Sequence, residues 1–438
     1  MRDVFLVLVL FGLIPVALKR PMVAVAVYVV ISIMNPHRLS WGFARELPWA
    51  WIYAVVGTIS AMRFHGDRLG EALRLHRMPL VFLAWTGVTT IFALDPSVST
   101  ESWVNFVKVQ YGIVLALICV RDMKDVRLLV AVMTASVAFY GLKGFLFMLS
   151  TGGQYHVNGP DNTLIADNNH LAVALVMTIP LLYWLVTQTD NKWLRILIWT
   201  TLVGCVFSAL GTYSRGGFLA LGVVGAAMVA RSPRKLQFTM LLVPAAAIAL
   251  AFMPDAFWDR MSTIDDYQSD SSATGRIQAW ITSFNVANAR ITGGGFTYYR
   301  NPLSYFAFSP PNPYPRATHS IYFQPLGEHG WIGLAMFMAI FVGALVRTFR
   351  ARQRVKTPAA RTYNELLRAL QVSLLGYLSG GAFLSLAFWD FAYYLAATVA
   401  VLYALRFRVA ETAIVPVAAP QAPSRNIFDR PRPASGPT

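Results

Sequence analysis

The sequence predicts an all-α polytopic membrane protein, and three observations predict it. Hydrophobic residues make up 56% of the 438 and charged residues 13%, about half the usual quarter, and the mean hydropathy is +0.50. Such a chain lacks the polar surface that keeps a globular domain in solution. The apolar residues fall in unbroken runs of roughly 15–23, not in ten-residue alternations, so the spanning elements are helices and not the strands of a barrel. The third observation is charge. Lys and Arg number 37 against 21 Asp and Glu, a net +16. In a soluble chain that excess points to nucleic acid. In a membrane protein it gathers in cytoplasmic loops, and no nucleic-acid partner is expected.

Taken in order, the apolar segments cover 4–18, 21–34, 47–62, 79–94, 105–120, 127–149, 170–187, 195–211, 216–230, 237–253, 321–346, 366–388 and 391–405. These make twelve to thirteen crossings, because the first two are short and meet at Lys19-Arg20-Pro21, the pattern of a partly inserted hairpin. The first run has no small-residue cleavage site before Lys19, so it reads as a membrane segment and not as a removed signal peptide. Cys119 and Cys205 sit inside apolar runs, where a thiol packs as a small hydrophobe, and no disulfide or metal framework is expected.

The loops sort by charge. Basic residues crowd 63–78, 121–127, 231–235 and 347–368, and these loops alternate with 95–104, 150–169 and 388–391, which are poor in Lys and Arg. The alternation places 63–78 and the C-terminus in the cytoplasm and the stretch 254–320 on the far side, a bacterial periplasm. The expected organisation is a transmembrane bundle over 1–253, a periplasmic loop with an amphipathic helix over 254–320, C-terminal transmembrane helices over 321–405, and a disordered cytoplasmic tail over 406–438, rich in Pro and Ala.

The loop 254–320 is too long for a passive connection. Ile277, Trp280, Ile281 and Phe284 recur at helical spacing, the signature of an amphipathic helix. Gly293-Gly294-Gly295-Phe296 ends it with a turn, and Tyr298, Tyr299, Tyr305, Phe306 and Phe308 follow. Aromatic faces with polar edges stack on sugars; they equally form an interfacial belt. The loop holds Arg260, Arg276, Arg290, Arg300 and Arg316 and no lysine. A guanidinium fork grips phosphate oxygens, although Asp255, Asp259, Asp265, Asp266 and Asp270 offer plain surface pairs.

Three further cations stand near the outer side. Lys108 lies at the outer end of 105–120, Lys143 within 127–149 nearer its outer end, and Arg215 in the very short turn Tyr213-Ser214-Arg215-Gly216-Gly217. A cation at membrane depth costs about 2.5–3.5 kcal/mol and normally faces a partner or cavity, although a lysine can snorkel. Together the three point to an anionic, lipid-linked headgroup. His170 follows Asp167-Asn168-Asn169, a polar cluster that opens a membrane segment and also reads as a helix N-cap. His319 precedes Ser320 where the long loop meets 321–346, and His329 lies ten residues on. These two are not at metal-ligand spacing, and no metal is expected.

Tyr213-Ser214-Arg215-Gly216-Gly217, Gly275-Arg276 with Trp280, Gly293-Gly294-Gly295-Phe296, and His319-Ser320 leading to Gly327-Glu328-His329-Gly330 and Gly333 together resemble the O-antigen ligase family, whose superfamily also holds O-antigen polymerases and protein O-oligosaccharyltransferases. Asn35-Pro36-His37-Arg38 looks like a ligase subgroup. The family usually follows its histidine with Asn, where this chain has Ser320. The resemblance covers most of the chain and implies a bacterial inner-membrane glycosyltransferase of GT-C-like fold. Its donor is a polysaccharide on undecaprenyl pyrophosphate and its acceptor, for a ligase, is the lipid A–core of lipopolysaccharide. Carried over, the family's arginine in the short outer turn falls on Arg215, its loop arginine on Arg276 and its catalytic histidine on His319.

What the resemblance implies agrees with the residue types. A lipid pyrophosphate brings its own leaving group, and preorganised arginines stabilise the charge that develops on it. Arg215 and Arg276 fill that role, with His319 positioning or deprotonating the acceptor hydroxyl. Lys108, Lys143, Asn169, His170, Arg290, Arg316, Tyr298 and Tyr299 are the expected substrate-binding residues. No cofactor is expected, and the transfer is expected to be metal-independent and inverting; Asp265-Asp266 is the one pair that could hold a metal. A polymerase and a protein O-oligosaccharyltransferase differ only in acceptor. A lipid-linked glycan flippase is the alternative of another class, and it predicts a polar path across the whole bundle.

Overall fold

The computed structural model describes residues 2–231, 235–236, 239–240, 258, 271–311, 314–354 and 357–412. Most of the apolar segment 237–253, Arg260, the five loop aspartates and the tail beyond 412 lie outside the described residues.

Among the described residues the chain is helical, with no strand. Its helices are α1 (Arg2–Lys19), α2 (Pro21–Val29), α3 (Trp49–His65), α4 (Leu69–Leu75), α5 (Arg77–Ile91), α6 (Pro96–Cys119), α7 (Met123–Thr151), α8 (Asn168–Val186), α9 (Lys192–Leu210), α10 (Arg215–Arg231), α11 (Ser271–Ala289), α12 (Pro302–Phe306), α13 (Phe323–Arg350), α14 (Pro358–Gly380) and α15 (Asp390–Thr412). Five of them, α6, α7, α8, α9 and α13, are long and apolar enough to cross a membrane.

Local chemistry sets the ends. Pro96 opens α6 and Asp95 accepts the Val98 N–H; Asp122 accepts from Lys124 and Asp125 to open α7; Asn191 does the same for α9. Each cap satisfies N–H groups that the first helical turn leaves without partners. The stretch 95–104, expected to be a loop, is therefore the first turns of α6. The apolar run 366–388 stops as a helix at Gly380 and turns through a short 3-10 segment, Gly381–Phe383, because consecutive glycines weaken a helix.

α8 is the centre. From Leu171 to Leu182 its side chains are buried on every face, and a helix apolar all round belongs inside a bundle. It packs against α7, α9, α10 and α14. α1, α2 and α3 form a smaller cluster around Tyr28, Trp49 and Tyr53, with the Tyr53 hydroxyl donating to the Leu10 carbonyl at 2.5 Å. The predicted amphipathic helix exists as α11, longer than the pattern 275–284, and lies along α13.

Candidate functional site

One cleft gathers several of the singled-out residues. Asn169, Ser214, Arg215, Gly216, Arg276, Phe383 and Leu384 line it, and it holds about 320 Å³ counting its open mouth. Each wall has a local cause.

The first wall is the start of α8. Asp167 caps this helix, accepting the Asn169 N–H at 2.9 Å and the His170 N–H at 3.4 Å. The same oxygen takes His170 Nδ1 at 3.1 Å. Burial raises the pKa of Asp167, but the bond and charge of His170, then the bonds from Asn169, outweigh it and hold the carboxyl well below the ordinary range.

The second wall is the start of α10. Tyr213 takes a left-handed φ of 54° to reverse the chain after α9, and its buried hydroxyl is anchored on the Gly153 carbonyl. Ser214 Oγ accepts the Gly217 N–H at 3.0 Å, so Arg215 is the first helical residue. Asn168 Nδ2 donates to the Thr212 carbonyl at 2.8 Å and ties the two helix starts together. A Cβ on Gly217 would stand 2.4 Å from Ala172 Cβ, so glycine is what lets α10 come this close to α8. Two helix N-termini thus sit side by side, and N-termini favour anions.

The third wall belongs to α11 and the segment after it. Arg276 follows Gly275, and Arg316 lies against that glycine: a Cβ there would be 1.8 Å from Arg316 Nη1. Trp280 stacks on Phe323 with ring centres 5.0 Å apart and donates to the Thr318 carbonyl at 2.7 Å, which fixes the approach to His319. The His319 N–H donates to Ser385 Oγ at 2.9 Å and the Ile321 N–H to the Gly381 carbonyl at 2.8 Å. These bonds hold His319 to the segment whose Phe383 and Leu384 complete the cleft.

His319 stands beside the cleft, its ring centre 6.4 Å from that of His170. Its φ is 44°, a left-handed conformation uncommon for a side-chain-bearing residue. Burial, then the charges of Arg276, His170 and Arg316, push its pKa down to about 4, against a partial upward pull from Asp167. The imidazole is therefore neutral at pH 7, and further from titration there than the unperturbed value near 6.5 implies. Ser320 is buried and its hydroxyl accepts the Tyr322 N–H at 3.3 Å, a helix-opening role for the residue after the histidine.

Other expected site residues lie elsewhere. Lys108 is twelve residues into α6, about 18 Å from its start at 1.5 Å per residue, where it bonds Asn105 Oδ1 at 3.1 Å; the earlier start of α6 displaces it from the outer end. Lys143 is exposed on α7. Neither lysine lines the cleft. Arg290 donates to the Gly293 and Phe92 carbonyls at 3.0 and 2.6 Å, tying the end of α11 to the end of α5. Tyr298 is no open platform for a sugar: it is buried with Val286 and Tyr305, with Tyr299 and Phe308 packed around them, and its hydroxyl meets Ser283 Oγ at 3.2 Å. The loop needs a core of its own beneath α11, and these tyrosines supply it. Among the described residues no three His, Cys, Asp or Glu side chains cluster as metal ligands do; Asp265-Asp266 lies outside them.

The sequence indicates Asp167 as a helix cap but not its bond to the His170 ring, the hold of Ser385 on His319, or the wall at Phe383 and Leu384. The pair Gly380-Gly381, interrupting an apolar run, was the available signal for that wall.

Residues 200–338 match a family described as O-antigen ligase. This segment is an O-antigen ligase domain. Residues 1–190 match a family of unknown function, DUF5935, and no curated protein matches the chain. The ligase segment begins within α9, ends within α13, and contains Arg215, Arg276 and His319. Asn169 comes from the other matched segment, and Phe383 and Leu384 from beyond both, so the cleft is assembled across the family boundaries. The ligase domain supports a membrane glycosyltransferase-like function of the ligase or polymerase type, which acts on a lipid-linked glycan and an acceptor.

Proposed function

We propose that this protein is an O-antigen ligase that transfers a polysaccharide from undecaprenyl pyrophosphate to the lipid A–core of lipopolysaccharide, with its cleft on the periplasmic side of the bacterial inner membrane. The observation that carries the reading is the cleft itself. Arg215 and Arg276, 61 residues apart in sequence, line one hollow at two helix N-termini, with His319 and the Asp167–His170 pair alongside.

In the proposed reaction an acceptor hydroxyl oxygen attacks the anomeric carbon from the face opposite the diphosphate. The bond from that carbon to the diphosphate oxygen breaks, and its electron pair leaves with the diphosphate. Arg215 and Arg276 meet the charge that develops there with donors already in place before the reaction. The hydroxyl proton goes to the His319 imidazole. With a pKa near 4, His319 in the free protein is a hydrogen-bond acceptor that orients the hydroxyl. A bound diphosphate offsets the guanidinium charges that depress this pKa, and so raises it towards the value a base needs. Asn169 lines the donor side of the cleft, its amide nitrogen held by Asp167 and Asn168, and His170, held by Asp167, stands within reach of the acceptor side. The transfer is proposed to invert the anomeric centre and to need no metal, and the lysines have no part in it.

The test is to feed labelled lipid-linked donor to membranes containing the chain and to follow the label. The account expects it on lipid A–core. Label in lengthened lipid-linked polymer, or on protein, would assign the same cleft to a different acceptor.

A further inference from the structure

At the other end of the helices that build the cleft lies a second group of guanidiniums. α10 starts at Arg215 in the cleft and ends at Arg231, about 24 Å away at 1.5 Å per residue. There Arg231 Nε donates to Gln371 Oε1 at 2.9 Å, and Arg352 Nη2 donates to the same oxygen at 3.2 Å. Gln371 is fully buried and its Nε2 has no partner among the described residues. One neutral acceptor therefore holds two cations together. A third, Arg368, stands on the α14 turn before Gln371, and its charge adds to burial in pushing the Arg352 pKa below its ordinary value. The nearest carboxylate along α14, Glu365, is taken by Arg361 at 2.9 Å. Like charges gathered on a neutral anchor repel one another and lower their energy by sharing an anion.

The surroundings say what kind of anion. Arg352 lies two residues past the end of α13, one of the helices long and apolar enough to cross a membrane. Val342, Val346 and Phe349 are among the exposed apolar residues of α13, and their spacing of four and three puts them on one helical face. That stripe leads directly to Arg352, whose guanidinium lies 5.2 Å from the centre of the Phe349 ring. An apolar stripe that ends in a cationic cluster has the layout of a site for acyl chains below and a phosphate above. We propose that Arg231, Arg352 and Arg368 bind the phosphate of an anionic phospholipid whose chains run along Val342, Val346 and Phe349. This site is separate from the cleft and does not depend on the transfer reaction.

The experiment uses the full chain purified in a neutral detergent, with thermal unfolding followed as lipid is added. Phosphatidylglycerol in mixed micelles should raise Tm saturably, and phosphatidylcholine of the same chain length should not. Arg352→Gln with Arg368→Gln, both at exposed positions, should keep the Tm of the lipid-free protein and lose most of the phosphatidylglycerol shift. Arg361→Gln, which removes an equally exposed charge outside the group, should retain it. An equal shift from phosphatidylcholine, an undiminished shift in the double variant, or full saturation by inorganic phosphate alone would overturn the lipid site.

Discussion

At the scale of single residues, His319 is the most constrained group in the cleft region. Its left-handed backbone makes alanine a poor replacement, because loss of activity could reflect strain. Asparagine tolerates that conformation, so His319→Asn should unfold at the wild-type temperature and transfer no glycan; substantial turnover in that variant would remove the imidazole from the reaction. The pH dependence carries a sign. His319 is neutral above its pKa of about 4 and protonated below it, and kcat/KM reports the free enzyme. Its acid limb should therefore fall near pH 4, while the acid limb of kcat, measured with donor bound, lies higher; a kcat/KM limb at pH 6.5 would contradict the assigned surroundings. Arg215 could be singled out from sequence because it stands in a very short turn next to two glycines, which let a ligand approach the backbone. The depressed basicity of His319 could not, because its burial, and then the nearness of Arg276 and Arg316, come only from the fold of α11 and the segment after it. The packing of Tyr298 was not legible for a related reason: an aromatic run has the same composition whether it faces sugar or packs against Val286 and Tyr305.

At the scale of elements, the starts of α8 and α10 do most to form the site, and the two glycines of the turn have different duties. A methyl at Gly217 meets Ala172 at 2.4 Å, so Gly217→Ala should lower stability by about 1–3 kcal/mol, the usual cost of overpacking, read as a fall in Tm with loss of activity. At Gly216 the nearest atom to an added Cβ is 3.5 Å away, so Gly216→Ala should fold normally and raise KM for the donor by crowding the cleft; a Tm loss like that of Gly217→Ala would contradict this. Hydropathy located helix interiors well because the apolar runs are continuous. It failed at ends governed by caps and glycines. Asp95-Pro96 starts α6 nine residues before its apolar run, which moved Lys108 away from the end assigned to it, and Gly380-Gly381 stops α14 inside an apolar run, which hid the cleft wall at Phe383 and Leu384.

At the scale of the molecule, α10 and α13 run from the cleft region to a guanidinium cluster at the other end. The expectation of an all-helical chain with membrane-crossing helices could be read from composition together with the length of the apolar runs. The meeting of Arg215 with Arg276 could not, since it needs the packing of α8, α10 and α11, and only family likeness had linked the two. Because the proposed chemistry rests on guanidiniums, transfer should continue in excess EDTA; loss of activity rescued by magnesium would point to Asp265-Asp266 instead. The central claim is that Arg215 and Arg276 stabilise a departing diphosphate through their planar forks. Its most direct test is single-turnover transfer at saturating donor by Arg215→Lys and Arg276→Lys beside the wild type. If the forks act on the leaving group, each variant should keep its Tm and bind donor yet lose roughly 10²–10³-fold in rate, as removal of a transition-state donor does. If either lysine variant transfers within a few-fold of the wild-type rate, its arginine supplies only charge or structure and the account is wrong.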